Sequence, residues 1–151
     1  MNITSNGKYP ANKLSNFAGH RFTLDGVECY SMEGFLQSLK FKSLPMQMEV
    51  CKLIGKAAKM KGASKNWKRK QILYWQGNEY PRKSNEYQDL LDRAYQAMYD
   101  QSKGFRKALK ASEGSTLEHS IGKSKESDTV LTKSEFCRRL NKLRDGKIRN
   151  L

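Results

Sequence analysis

Ser31-Met32-Glu33-Gly34-Phe35-Leu36-Gln37-Ser38-Leu39-Lys40-Phe41 reads as an amphipathic helix with chemistry on one side. At about 3.6 residues per turn, Glu33, Gln37 and Lys40 fall at i, i+4 and i+7, so a carboxylate, an amide and an amine share one face. Met32, Phe35, Leu36 and Leu39 take the opposite face with the spacing of a helix that buries one side. On spacing alone the polar trio is a solvated stripe, in which a Glu and Lys pair contributes about a few tenths of a kcal/mol. Its neighbours decide whether it is a site.

Immediately upstream, His20-Arg21-Phe22-Thr23-Leu24 and Val27-Glu28-Cys29-Tyr30 alternate in polarity around Asp25-Gly26, the signature of a two-residue hairpin. Downstream, Pro45 opens a predicted second helix whose Met46, Val50, Leu53, Ile54, Ala57 and Ala58 form an apolar stripe ending near Gly62. A third helical stretch is expected over 66–75, with Gly77-Asn78 and Pro81 breaking it. Ser84 is placed to cap a long helix with Tyr87, Leu90, Leu91, Ala94, Tyr95 and Met98 inward. Phe105, Ala108 and Leu109 indicate another short helix. After a polar loop over 123–132, Ser134 is expected to cap a last helix carrying Phe136, Leu140 and Leu143. The pattern is α+β, mainly helical with a small sheet, and without internal repeat or linker one domain over 1–151 suffices.

Composition limits the partners. Lys and Arg number 29 against 15 Asp and Glu, a net charge of +14 that points to an anionic partner. Part of this charge gathers in Lys56, Lys59, Lys61, Lys65, Lys68, Arg69 and Lys70. A second group is Arg138, Arg139, Lys142, Arg144, Lys147 and Arg149. Such strips favour phosphate contact through counterion release and make affinity fall with salt, although charge runs also serve solubility alone. No apolar run approaches the roughly 20 residues of a membrane span, and the amino terminus lacks a basic start with an apolar core. A soluble, cytoplasmic, monomeric protein is expected. Cys29, Cys51 and Cys137 are far apart and read as buried thiols, with neither a disulfide framework nor a metal site indicated, and no cofactor is implied.

Leu14-Ser15-Asn16-Phe17, the Asp25-Gly26 turn, Ser31-x-Glu33, Phe35-x-Gln37-x-x-Lys40-Phe41, Gly55-x-x-Ala58-Lys59 and Trp67 follow one another in the order and spacing of the NADAR, or YbiA-like, family. The chain resembles that family from about residue 14 to 144. The resemblance implies an α+β fold and an N-glycosidase that opens the bond between a ribose anomeric carbon and an amino nitrogen. Some members resemble hydrolases that strip ADP-ribose from guanine in DNA; others act on phosphorylated ribosylamino-pyrimidine intermediates of riboflavin synthesis. It shifts the reading of Glu33, Gln37 and Lys40 from stripe to site.

The chemistry of such a bond suits these side chains. Its cleavage develops oxocarbenium character on the sugar and negative charge on the departing nitrogen, for which Glu33 is the candidate proton donor and acceptor. Lys40, partly desolvated, would attack the anomeric carbon to give an imine or stabilise charge, and Gln37 would orient a hydroxyl. The resemblance places Asn16 and Phe17 around ribose and base. It places Gly55 and Lys59 near phosphate, where helix packing plus a surface lysine is the competing reading. Trp67 would stack on a base or ribose, its basic neighbours favouring an exposed ring over a core one. His119 and Ser120, in a segment 117–122 resembling a family strand that enters the pocket, are candidate substrate contacts. Where many relatives show an acid and a Trp-Gly pair, this chain has Gly122-Lys123-Ser124-Lys125, which removes support for a role of that acid. Three function classes follow: removal of ADP-ribose from DNA or from an ADP-ribosyl nucleoside, hydrolysis of a small ribosylamino phosphate, and nucleic-acid binding without catalysis.

Overall fold

The structure is a computed structural model that describes residues 1–146; Lys147 and Arg149 of the second basic group lie outside the described residues. A short helix α1 (Ala11–Leu14) leads into an antiparallel hairpin, β1 (Phe22–Leu24) and β2 (Val27–Cys29), with Phe22 opposite Cys29. Asp25 and Gly26 both take positive φ, 50° and 78°, so the dipeptide forms the turn that its sequence calls for. Helix α2 (Met32–Ser38) follows at once, its first turn held by the Ser31 hydroxyl, which accepts from the Gly34 N–H at 3.0 Å. Met32, Phe35, Leu36 and Leu39 are buried in one hydrophobic cluster with Phe22, Leu24, Trp75, Leu91, Tyr95 and Phe136. The apolar face read from sequence is therefore the centre of the core.

The expected single helix after Pro45 is two: α3 (Leu44–Cys51) and α4 (Gly55–Ala63). The break has a packing cause. The Ser31 hydroxyl donates to the Leu53 carbonyl at 2.9 Å, and a Cβ on Gly34 would come within 2.5 Å of that same oxygen. The α3–α4 link thus runs over the bare backbone of α2, and Gly55, at φ 55°, restarts the helix. The predicted apolar stripe divides accordingly: Val50 and Ala58 are buried, while Ile54 and Ala57 are exposed.

The helix expected over 66–75 is instead a turn leading into β3 (Ile72–Trp75), which pairs with β4 (Asn78–Pro81). Gln76 and Gly77 take positive φ and form a second two-residue turn, and Leu73 and Trp75 face the core on alternate positions. The Trp75 indole donates to Asp25 Oδ2 at 2.8 Å and Arg93 donates to both Asp25 oxygens, which ties the second hairpin and the long helix to the first hairpin. The fold therefore holds two small sheets rather than one.

Helix α5 (Asn85–Gln101) buries all six predicted residues and is capped by Ser84 as expected. It packs with α6 (Lys103–Ala111), which buries Phe105, Ala108 and Leu109, and with α7 (Lys133–Asp145). The cap of α7 is Thr132 rather than Ser134: its hydroxyl accepts from the Glu135 N–H while Glu135 accepts from the Thr132 N–H, a reciprocal capping box. The segment 117–122 forms no full strand. It makes a single parallel bridge, Asn2 with Glu118, flanked by hydrogen bonds from Ile3 N–H to Glu118 and from Glu118 N–H to Met1. Among the described residues no helix is long and apolar enough to cross a membrane. Cys29 and Cys51 are buried, but Cys137 is half-buried.

Candidate active site

Glu33 and Gln37 on α2, and Lys40 in the turn just past its end, share one wall of a cavity of about 620 Å³. The Lys40 N–H donates to the Gln37 carbonyl at 3.2 Å, and the helix expected to carry all three stops at Ser38. Asn16, Leu36, Lys59, Lys65, Trp67, Lys68, His119, Ile121, Lys123, Asp128 and Phe136 complete much of the lining. Of the ten residues singled out from sequence, seven meet here: Asn16, Glu33, Gln37, Lys40, Lys59, Trp67 and His119. Phe17, Gly55 and Ser120 do not line it. Phe17 lies beside the Gly55 turn, and Ser120 is exposed, its Oγ accepting from Asn2 at 2.9 Å while its N–H donates to Asn2 Oδ1. Trp67, expected to be exposed, is only 7% exposed and meets the cavity from the core.

Around Glu33 the environment is built rather than incidental. Its N–H donates to the Asn16 carbonyl at 3.0 Å, which docks the Leu14–Phe17 segment on the first turn of α2. Burial pushes its carboxyl up from the ordinary carboxylate value, opposed by the Gln37 amide and the nearby charges of Lys59 and Lys40. Burial also pulls the Lys40 ammonium below the ordinary lysine range, only partly offset by Glu33. The two shifts run toward each other, each set chiefly by burial and opposed by the partner's charge.

Two further side chains fix the polar atoms. The Gln37 Nε2 donates to Glu33 Oε2 at 2.7 Å, and its amide lies against Gly62, where a Cβ would come 1.7 Å from Oε1. Gly62 is thus the space that lets Gln37 lie along the carboxylate. Tyr95 Oη donates to Asn16 Oδ1 at 2.7 Å, which leaves the Asn16 NH₂ as the group presented to the cavity. Sequence reasoning placed Tyr95 in the core without a polar task and treated Gly62 as a helix end. A glycine inside a helical pattern costs about 1 kcal/mol and so asks for a packing reason, the signal that would have found it.

The basic lip is narrower than the charge count suggests. Lys59, Lys65, Lys68 and Lys123 edge the cavity, with Lys56, Arg69 and Lys70 exposed nearby. Arg139 and Arg144, by contrast, are structural. Arg139 pairs with Asp92 at 2.9 Å and donates to Gln88, and Arg144 donates to the carbonyls of Ser112 and Ser115. The second basic group is therefore not a continuous strip. Among the described residues no three His, Cys, Asp or Glu side chains gather as a metal site would require.

The mainly helical α+β fold is shared with a solved structure. The NMR structure of the E. coli protein YbiA superposes with a TM-score of 0.62 at 18% identity, covering 96% of this chain and 82% of that one. The fold of the YbiA-like resemblance is thereby found. By sequence the chain belongs to the family of bacteriophage protein GP30.3, whose profile matches residues 8–145. A 17.1 kDa protein of the Gp30–rIII intergenic region of Enterobacteria phage T4, itself described as uncharacterized, is 42% identical over 151 residues, 97% of each chain.

Proposed function

We propose that this protein is an N-glycosidase that hydrolyses a ribose-to-amine bond, with ADP-ribose attached to guanine in DNA as its substrate. The observation that carries the reading is Glu33 and Lys40 in the wall of one open cavity, near enough to act on each other's charge, with burial raising the carboxyl and lowering the ammonium. Glu33, holding its proton, gives it to the departing nitrogen. Lys40 stabilises the sugar-side charge or attacks the anomeric carbon as the amine. The Asn16 NH₂ offers donors to ribose oxygens, and Trp67 contributes an apolar wall for ribose or base.

The substrate class rests on charge. Lys59, Lys65, Lys68 and Lys123 surround the opening and the exposed Lys56, Arg69 and Lys70 extend it, more cation than a small metabolite needs and a surface suited to successive phosphates. The test compares guanine-ADP-ribosylated single-stranded DNA with a phosphorylated ribosylamino-pyrimidine, following release by mass spectrometry. Release of ADP-ribose from DNA supports the proposal. Activity on the pyrimidine alone redirects it to the small-molecule reaction, and salt-sensitive DNA binding without release leaves a binding protein. Borohydride during turnover distinguishes the two roles of Lys40, since only the imine route yields a trapped adduct at that residue.

A further inference from the structure

We infer that His119 is the general base that takes a proton from the water ending on the anomeric carbon; this rests on the glycosidase reading above. The ring is held from three sides. Its Nδ1 lies 2.8 Å from the Ile3 carbonyl, an acceptor only, so Nδ1 carries a hydrogen and donates it. Phe136 meets the ring edge-on with centroids 5.1 Å apart, and Gly122 lies so close that a Cβ there would stand 2.7 Å from His119 Cδ2. With Nδ1 committed, Nε2 has no hydrogen-bond partner among the described residues, on a ring that lines the same cavity as Glu33 and is close enough to bear on its charge.

The Ile3 carbonyl is itself fixed. Residues 1–3 run beside Leu117–Ser120, with Ile3 N–H donating to Glu118 at 2.8 Å and Asn2 bonded twice to Ser120. The two segments therefore serve to set one imidazole tautomer, and this assigns a task to the N-terminal residues and to Ser120, which stays outside the cavity. Such an arrangement is how proteins present the second ring nitrogen as an acceptor.

The step balances as a hydrolysis. The water oxygen bonds to the anomeric carbon as the carbon–nitrogen bond breaks, and that bond's electron pair goes to the departing amino nitrogen, which takes the Glu33 proton. One water proton passes to His119 Nε2. The products are a hemiacetal sugar and a free amine, and the imidazolium proton returns through solvent to the Glu33 carboxylate. Two groups in one cavity thus divide the work, a protonated carboxyl as acid and an imidazole as base.

Two measurements test this. Nitrogen-detected NMR of the ligand-free protein at about pH 8.5, above the ordinary histidine range, should show Nδ1 protonated and Nε2 bare; the reverse tautomer overturns the inference without reference to activity. His119→Asn keeps a donor for Ile3 but replaces the basic ring nitrogen with an amide that cannot take up a proton. Its kcat should fall by about 100-fold or more with KM within about threefold, and added imidazole should restore turnover to His119→Ala. An undiminished kcat, or a loss confined to KM, overturns the base role. Absence of turnover in the unaltered protein would instead sink the glycosidase reading, so the two failures are distinguishable. Thermal melts of both variants guard against a folding defect, since loss of a positioning residue alone gives no imidazole rescue.

Discussion

Glu33 is the residue on which chemistry and stability meet. Burial raises its carboxyl, so the native state holds this proton more tightly than the unfolded chain does. By linkage the stability tied to that proton is complete below the unfolded carboxylate range and is lost as pH rises through the shifted value. Glu33→Gln carries no charge at any pH. It should therefore melt no lower than the unaltered protein near neutral pH, as measured by calorimetry, and a clearly lower Tm there would contradict the picture of an unfavourably buried carboxylate. Gly62→Ala probes the same carboxyl from behind. The new methyl should displace the Gln37 amide from Glu33 at an overpacking cost of about 1–3 kcal/mol, with a marked loss of the proposed glycosidase rate. An unchanged rate with Gln37 shifted in a structure would remove it from the site. Glu33, Gln37 and Lys40 were legible because helical spacing and an uninterrupted apolar face occur in the same eleven residues. Tyr95 and Gly62 were not, because their roles depend on residues 79 and 25 positions away.

Elements were readable where local chemistry and packing agree. The Asp25-Gly26 hairpin, α2 and α5 each carry a turn pair or a serine cap beside an apolar pattern; the hairpin and α5 form as expected, while α2 forms but stops at Ser38, short of Lys40. The α3–α4 break was hidden because it is imposed from outside, by Gly34 and Ser31 pressing on the link. The second hairpin was hidden differently: Ile72-Leu73-Tyr74-Trp75 holds β-favouring residues before a Gln-Gly turn, but a helical reading of the preceding lysine-rich run absorbed it. Behind this hairpin, Arg82 on the exit from β4 is fully buried and donates twice to Glu135 of α7, at 2.7 and 3.1 Å. Burial alone would push Glu135 up, but the bonds from Arg82, the Thr132 N–H and Gln88 outweigh it and hold the carboxyl low. Its stabilisation is then present above the ordinary carboxylate range and lost as pH falls through the lowered value. Arg82→Met strands this carboxylate and should cost about 3–5 kcal/mol in urea unfolding. A loss below about 1 kcal/mol would show that water or another cation replaces the arginine.

At the scale of the whole molecule, a net charge of +14 is spent in two ways that sequence could not separate. Arg82, Arg139 and Arg144 are consumed inside the fold, whereas Lys59, Lys65, Lys68 and Lys123 face solvent at the cavity mouth. Lys68→Glu together with Arg69→Glu should weaken the proposed action on DNA more than that on free ADP-ribosyl guanosine. The slope of log affinity against log salt should become shallower by about 1–2. Equal losses on both substrates would place the phosphates elsewhere. The most direct test of the whole account is the rate at which the protein releases ADP-ribose from a guanine-modified single-stranded oligonucleotide, measured beside Glu33→Gln under identical conditions. Release by the unaltered protein with none above background from the folded Glu33→Gln protein is the predicted result. Equal release from both, or an intact adduct with the unaltered protein, would contradict it.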